Sequence, residues 1–282
     1  MIRLVCGALA AMLMAAPARA AEPLRPQTAQ LPGVALRYVD SGGAGAPVIL
    51  LHANTGTIES WSAQIDALRA ASFRVIAFDR RGWGGSQPDP ATGPQPGTVA
   101  GDLDALADHL KLDRFDLVGV AGGGFVALDY AAWKPERIGR MIVAATSGQL
   151  AEKQMKEFSA RIEFEGFRAL PPVHREVGPS YRGGNPEGVK RWMEIEEHAQ
   201  QKGAPNQPLR TPNTYAKLET IATPTLVLAG DADMVSPPEM MRIWSRHLKH
   251  ATFDFVPDAG HSIAWEQPEA FNARMLAFLA RR

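Results

Sequence analysis

Phe115-Asp116-Leu117-Val118-Gly119-Val120-Ala121-Gly122-Gly123-Gly124-Phe125-Val126-Ala127-Leu128 is the stretch that decides the fold. An apolar, β-rich run passes through Gly-x-Ala-x-Gly-Gly directly into small and apolar residues suited to a helix. Such an abrupt strand-to-helix turn needs glycine where backbones approach closely, and Gly119, Gly123 and Gly124 supply it. These glycines do not make a phosphate loop. No Lys-Ser/Thr follows them and the G-x-G-x-x-G spacing is absent, so nucleotide binding is rejected. At the centre of the turn stands Ala121, whose methyl group cannot attack a carbonyl.

Outward from this turn the pattern repeats. Val48-Ile49-Leu50-Leu51, Arg74-Val75-Ile76-Ala77-Phe78 and Arg140-Met141-Ile142-Val143-Ala144-Ala145 are continuous apolar runs, as strands buried on both faces require. Thr225-Leu226-Val227-Leu228-Ala229 and Thr252-Phe253-Asp254-Phe255-Val256 follow later. Helical segments separate them. One spans Trp61 to Ala70; another is capped by Thr98 and carries Val99, Leu103, Leu106 and Leu110 at helical spacing. The last, from Pro268 to Arg281, carries Phe271, Met275 and Leu279. Alternation of this kind predicts a mostly parallel sheet covered on both faces. It breaks between about Ser147 and Thr220, where two periodic helices, Glu152 to Phe167 and Glu187 to Gln201, predict a helical cap. The expected organisation is a core in two parts, 21–146 and 221–282, with the cap at 147–220. Residues 21–30 are Pro-rich and polar, the composition of a loose tether.

The 282 residues carry 30 basic and 30 acidic side chains, and 45% of them are hydrophobic. Balanced charge gives no electrostatic basis for nucleic acid or an anionic membrane surface as partner. Residues 1–20 differ in character: Arg3, an apolar run from Leu4 to Ala16, then Ala18-Arg19-Ala20 as an A-x-A cleavage site. This predicts a signal peptide cut after Ala20, a periplasmic or secreted protein, and no integral membrane span after cleavage. Removing Arg3 and Arg19 from the 30 basic residues leaves 28 against 30 acidic ones, a net charge of −2. The single cysteine, Cys6, leaves with the leader, so the mature chain has no disulfide, thiol nucleophile or thiolate metal site.

Four further motifs, with the turn, occur in a telling order: Leu50-Leu51-His52-Ala53-Asn54; Asp79-Arg80-Arg81-Gly82-Trp83-Gly84-Gly85-Ser86; Gly230-Asp231-Ala232-Asp233; and Pro257-Asp258-Ala259-Gly260-His261. From about Val34 to its C-terminus the chain resembles α/β-hydrolases of the esterase/lactonase type. The motifs match, respectively, that family's oxyanion loop (with Ala53 where glycine is usual), its D-x-R-G-x-G-x-S loop, the loop of the triad acid and the loop of the triad histidine. The central turn matches the G-x-S-x-G nucleophile elbow with Ala121 in place of serine. Gly178-Pro179-Ser180-Tyr181-Arg182 and Asn185-Pro186-Glu187-Gly188 are similar, less specifically, to cap segments of lactonase-like members.

The resemblance implies an α/β-hydrolase fold and a hydrolase of a small ester, lactone or related carbonyl compound. His261 would be the general base and Asp233, in better register than Asp231, the acid that orients it. The backbone N–H groups of Asn54 and Gly122 would form the oxyanion hole, with His52 holding its loop in shape. Phe164, Phe167 and Trp192 would line the pocket or pack the cap onto the core. The other histidines (His109, His174, His198, His247 and His250) lack motif context. No credible H-x-x-x-H pair exists, so neither a metal nor an organic cofactor is expected. Ala121 leaves three readings open: an engineered Ser→Ala change, a natural ligand-binding protein that has lost its nucleophile, or a catalyst in which His261 and Asp233 act on water without an acyl-enzyme. Thr55, Thr146, Ser147 and Tyr181 carry hydroxyls near the expected site, but none sits on the turn.

Overall fold

The computed structural model describes residues 22–281; the signal-peptide reading of residues 1–20 lies outside them. Nine strands form one sheet: β1 (Gln27–Leu31), β2 (Val34–Asp40), β3 (Pro47–Leu51), β4 (Arg74–Phe78), β5 (Gln87–Pro88), β6 (Phe115–Val120), β7 (Ile138–Ala144), β8 (Thr225–Gly230) and β9 (Ala251–Val256). Their order is β1-β2-β4-β3-β6-β7-β8-β9, with β5 beside β2. From β4 through β3, β6, β7 and β8 to β9 every pairing is parallel; β1, β2 and β5 pair antiparallel. The apolar runs therefore occupy the middle of the sheet, where covering helices bury both faces.

On one face pack α2 (Val99–His109) and α3 (Gly122–Trp133), which contribute Leu103, Leu106, Leu128 and Tyr130 to the core. The other face carries α1 (Ser62–Ala70) and the C-terminal helix Pro268–Leu279, with Leu68, Phe271 and Met275 fully buried. Thr98 caps α2 as its sequence predicts, its hydroxyl accepting from Gly101 N at 3.0 Å.

Between β7 and β8 lies the helical insertion, finer-grained than the sequence suggests. It holds α4 (Lys153–Ile162), α5 (Pro172–Glu176), α6 (Pro179–Gly184), α7 (Pro186–Glu197) and α8 (Tyr215–Leu218). The first cap helix stops at Ile162 rather than Phe167, and Gly166 in the left-handed region (φ 84°) starts a separate 3₁₀ turn. Proline at the start of α5, α6 and α7 divides the rest, since its ring fits only a first helical turn.

Two segments depart from expectation. Residues 27–31 are not a tether but β1, pairing with β2 from Gln27↔Tyr38 to Leu31↔Val34. Ala29 and Leu31 turn inward between exposed neighbours, an alternation too short to stand out beside its prolines. A helix α9 (Pro238–Ser245) between β8 and β9 was also not foreseen; it buries Met240, Met241 and Trp244. The two remaining helices are α10 (Ile263–Glu266) and α11, the C-terminal one. Among the described residues, no helix is long and apolar enough to cross a membrane.

Candidate active site

The turn between β6 and α3 has the shape its glycines predict. Ala121 sits at φ 47°, ψ −112°, a conformation that costs an L-residue about 1–3 kcal/mol and persists only where its surroundings hold it. They do: Ala121 N donates to Ala144 O at 2.9 Å, while its carbonyl accepts from Thr146 Oγ1 at 2.8 Å and Gly124 N at 3.0 Å. A β-carbon at Gly123 would stand 2.0 Å from Leu51 O, and one at Gly119 2.5 Å from Gly123 O. Glycine is therefore required at both positions.

At the ends of β8 and β9 the structure brings His261 and Asp233 together. His261 Nδ1 and Asp233 Oδ2 are 2.8 Å apart, and both side chains are buried. The other carboxylate oxygen of Asp233 accepts from Val235 N at 2.8 Å and Ser236 N at 2.9 Å. Its orientation is thus fixed. Asp231 instead accepts from Asp258 N, which separates the two aspartates by partner as well as register. Burial pulls the His261 pKa down, but the charges and hydrogen bond of Asp233, with Glu176 and Glu266 beyond, outweigh it and raise the value above 6.5. With Nδ1 occupied, Nε2 is the nitrogen left for chemistry.

The histidine loop is anchored to the cap. Glu266 accepts from Gly178 N (2.8 Å), Gly260 N (2.9 Å) and Ser262 N (3.1 Å), joining α6 to the backbone on either side of His261. Trp192 on α7 donates its indole N–H to Ser262 Oγ at 2.9 Å. Glu176, at the end of α5, accepts from Thr55 Oγ1 at 2.7 Å. A cleft lies among these residues, reaching His261, Val120, Glu176, Trp61 and Trp192.

The oxyanion-loop residues also come together. Asn54 lies over the start of α3: a β-carbon at Gly122 would be 2.2 Å from Asn54 Oδ1. His52 is fully buried, and burial with the adjacent Arg80 charge pushes its pKa down to about 3. It is a neutral ring that accepts from Arg80 N through Nε2 (3.0 Å) and donates from Nδ1 to Ala53 O (2.7 Å). That geometry locks the loop, as the sequence reading expects.

Asp79 and Arg81 are the scaffold residues of the Asp79–Ser86 segment. Asp79 accepts from Ile58 N, Gly85 N and Arg37 Nη1, while Arg81 forms a two-pronged pair with Asp102 at 2.6 and 3.1 Å. Of the cap aromatics, Trp192 lines the cleft, Phe167 packs edge-on against Phe164, and Phe164 is 56% exposed. Among the hydroxyls, Thr55 lines the cleft, Thr146 lies beneath the elbow, and Ser147 and Tyr181 do not line it. His174, His198 and His250 are exposed; His109 lies edge-on to Tyr38, and His247 stacks on Tyr215 beside Glu219. Sequence reasoning missed Glu176, Glu266 and Arg80. The first two carry no local motif; the Arg80-Arg81 doublet was a visible signal that two cations share one buried loop.

A profile of the alpha/beta hydrolase family matches residues 48–274, and the chain belongs to that family. It is 30% identical over 258 residues to 3-oxoadipate enol-lactonase 2 of Acinetobacter baylyi, an alignment covering 88% of this chain and 94% of that one. It is also similar to a thermophilic esterase from Thermogutta terrifontis, with a TM-score of 0.73 at 30% identity over 90% of this chain and 98% of that one. A hydrolase from Pseudomonas aeruginosa matches with a TM-score of 0.74 at 27% identity, covering 91% and 98%.

Proposed function

We propose that the protein is an exported hydrolase of small ester, lactone or related carbonyl compounds, in which His261 and Asp233 act as base and orienting acid. The observation that carries this reading is the 2.8 Å His261–Asp233 bond at a cleft that reaches the elbow residue Val120. Similarity to an enol-lactonase and an esterase supports the substrate class, and the Arg3-to-Ala20 leader supports export to the periplasm or beyond.

Position 121 determines the route. Without a hydroxyl there, no acyl-enzyme forms on the turn. His261 Nε2 takes a proton from water as the water oxygen bonds to the substrate carbonyl carbon. The N–H groups of Asn54 and Gly122 hold the resulting oxyanion. Collapse breaks the bond to the leaving alkoxide, which recovers the proton from His261. The Ala121 methyl favours a second reading, a ligand-binding protein that keeps the site without turnover, because a hydrolase loses up to about 10⁶ in rate with its nucleophile.

The test is hydrolysis of short-chain nitrophenyl esters and simple lactones by the leaderless chain, beside Ala121→Ser and His261→Ala. Turnover by the unaltered chain that disappears in His261→Ala supports water activation. Activity in Ala121→Ser alone makes the protein a binding member of its family. No activity in any of them removes the hydrolase reading.

A further inference from the structure

The His261 cleft is one of two hollows beside the elbow. The first reaches Val120; the second reaches Gly122 on the other side of position 121 and is lined by Asn54, Arg80, Trp83 and Phe125 among others. Its wall carries a cation that no step above uses. Arg80 is only 7% exposed. Its neighbour Arg81 is equally buried, but is neutralised by Asp102. Among the described residues, no carboxylate pairs with Arg80. Its guanidinium makes one long bond, Nη2 to Ala53 O at 3.4 Å, lies 4.3 Å from the Trp83 ring centroid, and leaves Nε without any partner. Burial pushes its pKa down to about 10, and no acidic group offsets the shift.

The obvious internal partner is already engaged. Asp129 lines the same hollow, but its carboxylate accepts from Lys217 Nζ and Arg210 N. Arg80 Nη1 meanwhile stands 3.5 Å from where a β-carbon on Gly122 would lie, next to an N–H assigned above to the oxyanion hole. A buried charge without a counter-ion is strongly unfavourable. A planar guanidinium with open N–H groups suits a carboxylate, which accepts two parallel bonds from it.

We propose that Arg80 is the recognition group for a free carboxylate on the ligand. The favoured compounds are half-esters of short dicarboxylic acids, or lactones bearing a carboxylate. Their reacting carbonyl lies over position 121, and their carboxylate reaches the guanidinium across Gly122. This rests on the hydrolase reading only for the placement of the carbonyl; the anion site stands on the unpaired cation and the hollow it faces.

Calorimetric titration of the leaderless protein with monomethyl glutarate, and with the primary amide of the same half-ester, tests the proposal. The amide keeps the shape and removes the charge. The expected result at neutral pH is at least about tenfold tighter binding of the acid, the range of a charge-assisted hydrogen bond. In Arg80→Met that ratio falls to near one, whereas Arg80→Lys keeps part of it. The assignment is overturned if the unaltered chain binds neither ligand or shows no preference. It is equally overturned if the preference survives in Arg80→Met, or if that variant weakens acid and amide alike. Should Arg80→Met not fold, the same ratio in Arg80→Gln decides. Hydrolysis of neutral nitrophenyl esters by Ala121→Ser separates the two readings. Turnover without carboxylate preference removes only the role of Arg80; preference without turnover keeps the anion site and removes the hydrolase.

Discussion

At the ends of β8 and β9, both carboxylate oxygens of Asp233 are bonded, His261 Nδ1 is taken, and Glu266 ties the histidine loop to the cap. At the junction of β6 and α3, the strained turn is held equally well by Ala144, Thr146 and Leu51, yet its central residue ends in a methyl. One half of the candidate site holds ionisable side chains in place; the other holds a backbone shape around a methyl. The difference follows from how each property is encoded. Backbone shape at the elbow is determined by several glycines and their neighbours, so it survives a change at any single side chain that fits. Nucleophilicity resides in one oxygen, and a single substitution removes it.

The most direct way to break this asymmetry is to add an oxygen at position 121. Ala121→Ser places a hydroxyl on a turn already held at φ 47°. Turnover of nitrophenyl acetate is expected to rise by about 10³-fold or more, up to about 10⁶, with a burst of nitrophenol as the acyl-enzyme forms. No burst and no gain would mean that the elbow's shape is not enough. In that same variant, Asp233→Asn probes the intact half. Loss of the charge and of the fixed imidazole tautomer should reduce kcat by about 10⁴, while KM changes little. A comparable change in KM would show that Asp233 shapes the pocket rather than the base.

The adjacent arginines reproduce the contrast on a smaller scale. Arg81→Met leaves Asp102 buried without its partner and is expected to destabilise the protein by about 3–5 kcal/mol. The pairing of Arg81 with Asp102 at 2.6 Å is the basis, and urea denaturation measures it. A loss below about 1 kcal/mol would mean that Gln207, which also donates to Asp102, suffices to hold the carboxylate.

These features were unequally legible in the sequence. The central strands announce themselves because strands buried on both faces are continuous apolar runs. β1 does not, since only Ala29 and Leu31 face inward among polar and proline residues. The resemblance of the motif loops to those of the family pointed to His261 and preferred Asp233 on register. The sequence could not show that Asp231 spends its carboxylate on Asp258 N. Glu176 and Arg80 were less accessible still. Glu176 meets Thr55 across 121 residues of sequence, and what distinguishes Arg80 is a missing partner, which only a three-dimensional neighbourhood reveals.

The pH profile sharpens the account of the base. Burial alone would lower the His261 pKa, but Asp233, Glu176 and Glu266 together raise it above 6.5. A base must be neutral to take a proton, so kcat/KM of Ala121→Ser should rise about tenfold per pH unit on the acid side and level off above pH 6.5. Linkage has the opposite sense: the raised pKa contributes stability that is fully present below 6.5 and is lost as pH rises through the folded value. Glu176→Gln removes one of the raising charges and should move the kinetic limb to lower pH. An unmoved limb would assign Glu176 to the cap contact with Thr55 alone.

The smallest effect tests the elbow directly. If the turn is held against the preference of Ala121 for negative φ, then Ala121→Gly releases that strain, because glycine adopts positive φ at no steric cost. Glycine also gains freedom in the unfolded chain, which opposes the benefit. The strain of about 1–3 kcal/mol exceeds that entropy difference of about 0.4–1 kcal/mol, so the balance favours the variant by about 1 kcal/mol. In a chain of this size that corresponds to a rise of about 2–4 °C in Tm. A fall instead would mean that the methyl contributes packing worth more than the strain, since Ala121 is 7% exposed between two hollows. Alanine would then be filling a space at the elbow, rather than merely occupying the place of a reactive group.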